Sequence, residues 1–325
     1  MDRNLDYTLL YRVSKAYFKD QRTQQEIADV ENFSRSQISR LLKKALDEQL
    51  VTYALNFPVE IDEAALSKQL CDLLGLERVL LVPSFYGDFK KANQDEISKN
   101  LALGVADKLA DLLGEAKSIG VGWGRTMYNA SLYVRPPQRT VRGRVFLPLI
   151  GLSGENSPMF QINTIVDRFG ERFHADRNYV NMQSLQLRDA MPSGGLEYIK
   201  TLQDKWKELD AAIIGIGGPS ANNKNLIYEF PRAYKKLIQT SGTVGDILSQ
   251  FFYEDGRNLD LDSHFSLLAM KIIDLKNVPN VIAIASGPEK CQPICAAAKM
   301  GYIKTLVTDY DTGIQILKYK GEQLK

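Results

Sequence analysis

The sequence predicts an α/β protein in two parts: a small N-terminal helix-turn-helix (winged-helix-like) domain over residues 1–57, then a Rossmann-like α/β domain over 58–325. Three observations predict it. Apolar residues recur at helical spacing through the first fifty residues, and two helix-start signatures stand eleven residues apart. Beyond residue 58, six apolar runs (VLLVP, SIGVGW, VFLPLIG, AAIIGIG, NVIAIAS and IKTLVTD) alternate with helix-like segments. Such alternation implies a parallel sheet covered on both faces. Several of those runs end in glycine or serine, and in open α/β sheets ligands bind beyond the carboxyl ends of the strands.

Leu5, Leu9, Leu10, Val13, Ala16 and Tyr17 form the apolar stripe of a first helix. TQQE then reads as a capping box: Thr23 accepts from the backbone N–H of Glu26 while Glu26 reaches back. SRSQ repeats it with Ser34 and Gln37 and starts a third helix. Asn32, in the short connection, tolerates the left-handed conformation that a sharp turn needs. Counted from Gln24 as position one, Ala28, Asn32, Ile38 and Leu41 fall at positions five, nine, fifteen and eighteen. That is the helix-turn-helix pattern of a small residue at the crossing, a turn former and two apolar anchors.

Projected onto a helix, Ile38, Leu41, Leu42, Ala45 and Leu46 form a stripe to be buried, and Arg35, Ser36, Ser39, Arg40 and Lys43 point outward. Long cations and small hydroxyls suit phosphates and base edges in the major groove, so these side chains are assigned to DNA. Thr23 and Gln24, opening the second helix, are assigned with them, and Gln37 adds an adenine contact if its capping role leaves it free. VTYAL, after Leu50, reads as a short wing strand, and the unit ends near Pro58. A solvated helix face would also be basic; the two capping boxes, the turn residue and the anchor spacing favour DNA.

In the second part, SIGVGWGRTMYNA opens from a strand into Gly122, Trp123, Gly124, Arg125 and Thr126 before a helix. Backbone amides, a hydroxyl and a guanidinium at a helix N-terminus can surround a phosphate. The glycine spacing is neither a dinucleotide fingerprint nor a P-loop, and a purely structural strand-to-helix turn fits equally. GIGGPS and ASGPEK, which contains Gly287, end two more strands in a similar way. Lys290 falls in the first turn of the following helix, where the dipole disfavours a cation; an anionic ligand explains it, as does a lysine extended into water. Asp246 either accepts hydrogen bonds from sugar hydroxyls or caps a helix. SKQLCDLLGL places Leu66, Leu70, Leu73 and Leu74 on one face, read as core within one subunit.

The composition excludes several classes. A hydrophobic fraction of 44% and a charged fraction of 25% are ordinary for a folded protein, and the net charge of +2 excludes a strongly basic polymer-coating protein. Cys71, Cys291 and Cys295 lack the commonest zinc-knuckle spacing and read as reduced thiols of a cytoplasmic protein. His174 and His264 have no partner at metal-ligand spacing, so neither metal nor cofactor is expected. The start of the chain does not read as a signal peptide, and no apolar run approaches a membrane span.

SGTVGDILSQFFYEDG, VIAIASGPEKCQPICAAAKMGYIKTLVTDYDTG, VGWGRT and the helix-turn-helix, in that relation to one another, resemble the SorC family of bacterial transcriptional regulators over nearly the whole chain. The resemblance implies a sugar-binding domain similar in fold to ribose-5-phosphate isomerase and glucosamine-6-phosphate deaminase, operator DNA and a phosphorylated sugar as partners, and a homotetramer. It implies that Gly122, Gly124, Arg125 and Thr126 form a phosphate loop with Asp246 and Lys290 at the same pocket; Trp123 and Gly287 lie in the same loops. Two segments depart from the family's pattern. HADRNYVNMQS is more polar than usual, and Ile150 stands where some members carry a lysine that reacts with an aldehyde sugar, so no Schiff base is expected there. The expected function is an effector-controlled regulator of a carbohydrate operon and not an enzyme. The alternatives are a sugar-phosphate isomerase or deaminase-like enzyme, for which no convincing acid–base partner to Asp246 is found, and a constitutive DNA binder.

Overall fold

The computed structural model describes residues 7–48, 50–51, 62–84, 91–137, 139–153, 160–187, 194–219, 232–261 and 265–323. The wing read from VTYAL lies, past Val51, outside the described residues, as do Pro58 and His264. The chain divides into two compact units, Met1–Glu60 and Ile61–Lys325.

The first unit holds α1 (Tyr7–Ser14), extended by a π-helical turn at Lys15–Lys19, then α2 (Gln24–Glu31) and α3 (Arg35–Asp47). Both capping boxes form: Thr23 with Glu26, and Ser34 with Gln37. Asn32 ends α2 at φ 55°, in the left-handed region that Asn tolerates. Val13, Ile27, Ala28, Ile38 and Leu42 make a small core, and a bidentate Arg12–Glu31 pair at 2.7 and 3.1 Å ties α1 to α2. Leu41 and Leu46 lie at the rim, half-buried.

The second unit begins with α4 (Glu63–Leu74) and β1 (Arg78–Val82), followed by α5 (Gln94–Val105), α6 (Leu109–Leu113), β2 (Ser118–Val121) and α7 (Arg125–Tyr133). Next come β3 (Val145–Pro148), α8 (Ile162–Phe173), β4 (Asp176–Arg177), β5 (Leu185–Leu187), α9 (Gly195–Lys207) and β6 (Ala211–Ile214). The chain continues through α10 (Arg232–Thr240), β7 (Gly245–Ile247), β8 (Gln250–Phe252), β9 (Phe265–Leu267), β10 (Asn280–Ile284), α11 (Cys291–Lys299), β11 (Thr305–Asp309) and α12 (Tyr310–Gln323).

Seven strands form one sheet in the order β1-β11-β10-β6-β2-β3-β4, with every pairing parallel. All six strands read from the sequence are in it. Their runs are largely apolar because both faces are covered: β6 and β11 are buried at every residue, including Thr305, Thr308 and Asp309 of β11. The helices α5, α7 and α8 pack in sequence against one another, as do α4, α12 and α11. Leu66, Leu70 and Leu74 of α4 enter the core, and Leu73 packs partly buried against it.

From β2 the chain runs outward through β3 to β4, and from β6 it runs the other way through β10 to β11. The order therefore reverses between β2 and β6, which is where a parallel sheet opens a crevice beyond its strand ends. The polar segment HADRNYVNMQS supplies the seventh, edge strand, where solvent faces the chain: Asp167 accepts from Tyr179 Oη at 2.7 Å and Arg177 Nη1 at 2.9 Å. Its polarity is thus that of an exposed sheet edge.

Candidate functional site

The side chains assigned from the sequence fall into two sets, one in each unit. In the first unit, Arg35, Ser36, Gln37, Ser39, Arg40 and Lys43 are all exposed along α3, while Ile38, Leu42 and Ala45 turn inward. Thr23 is exposed and Gln24 half-buried at the start of α2. No acidic residue lies on α3 before Asp47. The Gln37 Oε1 is held by Ser34, accepting from its backbone N–H at 2.8 Å and from its hydroxyl at 2.9 Å. A bidentate contact to adenine uses both ends of the amide, so it requires this cap to open. Arg40 Nε donates to the Ser36 carbonyl at 3.3 Å, which steers the guanidinium along the exposed face.

In the second unit the site is built at the reversal point. After β2 the chain turns through Gly122 and Trp123 to Gly124, whose φ of 106° and ψ of 171° belong to a region open only to glycine. No side chain caps α7, so the first-turn amides of Arg125 and Thr126 are presented at the positive end of the helix dipole. Gly287 makes the same kind of turn after β10, with φ 128° and ψ 161°. Hydroxyls and a carboxylate hold that turn. Thr312 Oγ1 accepts from the Gly287 N–H at 2.9 Å, Ser286 Oγ accepts from the Asp309 N–H at 2.9 Å, and Asp309 Oδ1 accepts from the Thr312 N–H at 2.7 Å. All three side chains are buried, and a fully bonded buried network of this kind fixes loop geometry.

Asp246 lies in β7 of a small hairpin and is 4% exposed. The helix-capping alternative for Asp246 is therefore excluded: its segment is a strand. The hairpin is pinned against the loop after β6, since the Gly217 N–H donates to the Asp246 carbonyl at 2.8 Å. A Cβ at Gly217 would overlap the Asp246 carboxylate, so only glycine permits this approach.

Lys290 is half-buried, and its Nζ donates to the Ile216 carbonyl at 2.8 Å. The reading of a lysine extended into water is corrected by that bond. Burial pushes the Lys290 ammonium down to about 8, against the pull of the Asp246 and Glu289 carboxylates. A Cβ at Gly218 would sit 3.7 Å from Nζ, and one at Gly215 3.9 Å from the Trp123 carbonyl. The loops after β2, β6 and β10 and the hairpin thus form one contiguous wall carrying Gly122, Trp123, Gly124, Asp246, Gly287 and Lys290, with Arg125 and Thr126 following directly on α7. Such a wall offers a cation and free amides to an anion and a carboxylate to hydroxyl groups.

Sequence reasoning missed Gln94. Its Nε2 donates to the Ser286 carbonyl at 3.3 Å from a helix 192 residues away, and no local motif signals such a contact. Ile150 is fully buried and bridges to Ala269, leaving no amine at that position. Cys291 and Cys295 are buried on α11, and burial pushes their thiols up to about 12 and about 11; neither is a thiolate nor in a disulfide. Among the described residues there is no cluster of potential metal ligands, and no helix is long and apolar enough to cross a membrane.

Residues 60–318 match the family described as "Putative sugar-binding domain". The sorbitol operon regulator of Klebsiella pneumoniae is 28% identical over 323 residues, spanning 98% of this chain and 100% of that protein. The transcriptional regulator LsrR of Escherichia coli strain SMS-3-5 is 27% identical over 318 residues, spanning 94% and 93%. Among solved structures, full-length SorC from K. pneumoniae superposes with a TM-score of 0.74 at 25% identity, covering 97% of this chain and 100% of that one. A transcriptional regulator from Streptococcus pneumoniae TIGR4 gives 0.69 at 25% identity, covering 80% and 98%.

Proposed function

This chain belongs to the SorC family, and we propose that it is a DNA-binding transcriptional regulator of a carbohydrate operon whose operator affinity is set by a phosphorylated sugar. Its relatives are transcriptional regulators and not enzymes. Residues 1–57 act as the helix-turn-helix DNA reader, with α3 in the major groove. Arg35, Arg40 and Lys43 contact phosphates or base edges, Ser36 and Ser39 approach bases, and Thr23, Gln24 and Gln37 lie at the groove margin. Residues 58–325 bind the effector and assemble the subunits, by family resemblance as a tetramer in the cytoplasm, with a fold akin to the sugar-phosphate isomerases.

The observation that carries the effector reading is the convergence of a cation, a carboxylate and uncapped amides at the strand-order reversal. The phosphate is held by the turn Gly122–Trp123–Gly124, by the amides and side chains of Arg125 and Thr126, and by Lys290 beside Gly287. Asp246 takes hydrogen bonds from sugar hydroxyls. Binding changes DNA affinity only if the effector favours one arrangement of the assembly over another.

Thermal unfolding across a panel of phosphorylated and free sugars tests this, because selective binding to the native state raises the midpoint. A rise with a phosphorylated sugar, absent for its free sugar and lost in Thr126→Ala or Lys290→Ala, is expected. An equal rise with the free sugar would overturn the phosphate assignment.

A further inference from the structure

The hairpin that carries Asp246 ends in an unfavourable turn. Ile247 pairs with Gln250, which leaves Leu248 and Ser249 as a two-residue connection. Their φ angles are 52° and 61°. A two-residue hairpin turn with positive φ at both central positions ordinarily uses Asn, Asp or Gly there, whereas Leu and Ser are less tolerant of that conformation. Turn tips normally face water. This one is inserted into the protein: Leu248 is 3% and Ser249 1% exposed. The Leu248 Cδ2 lies 3.3 Å from where a Cβ on Gly122 would stand, so the tip rests against the proposed phosphate turn.

Ser249 Oγ is buried and has no hydrogen-bond partner among the described residues. Two other side-chain atoms share that condition, Ser14 Oγ and Arg168 Nε. Ser14 belongs to the first unit, and the Arg168 guanidinium has the Tyr128 ring 5.4 Å away. The open hydroxyl of Ser249 does not come from a loose turn, because the next side chain is fully engaged. Gln250 Nε2 donates to the Met270 carbonyl at 2.8 Å, and its Oε1 accepts from the Ile272 N–H at 3.0 Å. Glycine at 249 would remove both the backbone strain and the unsatisfied hydroxyl. Such costs concentrated on one residue mark functional positions.

We propose that Ser249 reads the sugar: its hydroxyl bonds a hydroxyl group of the ligand held by Asp246 and Lys290, and so selects among sugars. This rests on the reading of the pocket as a sugar-phosphate site. A serine hydroxyl both donates and accepts, which suits a sugar hydroxyl, whereas the phosphate has Lys290 and the α7 amides. A site built to bond a hydroxyl rejects analogues that lack it, because its own buried group is then unpaired.

The test is calorimetry on full-length wild type, Ser249→Ala and Ser249→Gly with inorganic phosphate, D-glucose 6-phosphate, D-ribose 5-phosphate and D-sorbitol 6-phosphate, with the melting midpoint of each ligand-free protein. Both variants are expected to melt above wild type, Ser249→Gly highest. Both should lose about tenfold in affinity for the best sugar phosphate, as for one hydrogen bond, with inorganic phosphate within twofold of wild type. An unchanged affinity for that sugar phosphate, or an equal loss for inorganic phosphate, would overturn the proposal while the pocket stands. Wild type that binds no phosphorylated probe, and matches Lys290→Ala in this, would overturn the pocket reading and this proposal with it.

Discussion

Lys290 titrates in the range where effector binding is measurable, and this makes the pocket's electrostatics testable. A pKa of about 8 leaves it about nine-tenths charged at pH 7, half charged at pH 8 and about one-tenth charged at pH 9. A bound phosphate dianion favours the ammonium and raises that pKa. Binding should therefore take up about 0.1 proton at pH 7, about 0.5 at pH 8 and about 0.9 at pH 9, and affinity should fall about tenfold per pH unit above 8.

For folding stability the sign is opposite. The unfolded lysine keeps its usual 10.5, above the folded value of about 8, so between those pH values the unfolded state binds more protons and stability rises with pH. The gain is up to about 3 kcal/mol, read as the difference from Lys290→Met. Calorimetry with the best sugar phosphate in two buffers of different ionisation enthalpy measures the uptake. Zero uptake at pH 8 and 9, with constant affinity from pH 7 to 9.5, would refute Lys290 as the partner of the phosphate.

Other perturbations separate the remaining parts. Gly217→Ala should drive the Asp246 carboxylate from its place and lower sugar-phosphate affinity more than tenfold by calorimetry, with affinity for inorganic phosphate largely kept. Arg40→Ala and Lys43→Ala should each weaken DNA binding across all sequences and reduce the slope of log affinity against log salt by about 1, measured by fluorescence anisotropy. Ser34→Ala removes the N-cap of α3 and should lower the stability of the first unit by about 1 kcal/mol in urea unfolding, leaving effector affinity unchanged.

The parts legible in the sequence are those fixed by local chemistry. The boxes at Thr23 and Ser34 could be read because a cap joins residues three apart, and the six strands because each buried run is largely apolar. Lys290 stands out in the sequence as a cation at a helix start, and the structure places it at the end of a 3-10 turn, directly before α11. What stayed hidden is set by distance in the chain. Gln94 meets Ser286 across 192 residues, and the two-residue β4 is a polar edge strand with no apolar run to announce it. The hairpin at Asp246 escaped because its turn residues, Leu248 and Ser249, include none of the Asn, Asp or Gly that two positive φ angles ordinarily require. That exception coincides with the candidate site, where local rules are most often broken.

On the proposed function, one chain joins a DNA reader to a sugar-phosphate pocket, and the pocket governs the reader. Fluorescence anisotropy of the full-length protein on a duplex selected from a random pool, titrated with and without the sugar phosphate that binds best, tests it most directly. At least a fivefold change in DNA affinity is expected on adding the ligand, within the usual range of coupling between sites, and no change for Lys290→Ala, which should still bind the duplex. Identical DNA affinity at saturating ligand, with ligand binding verified in the same sample, would contradict it.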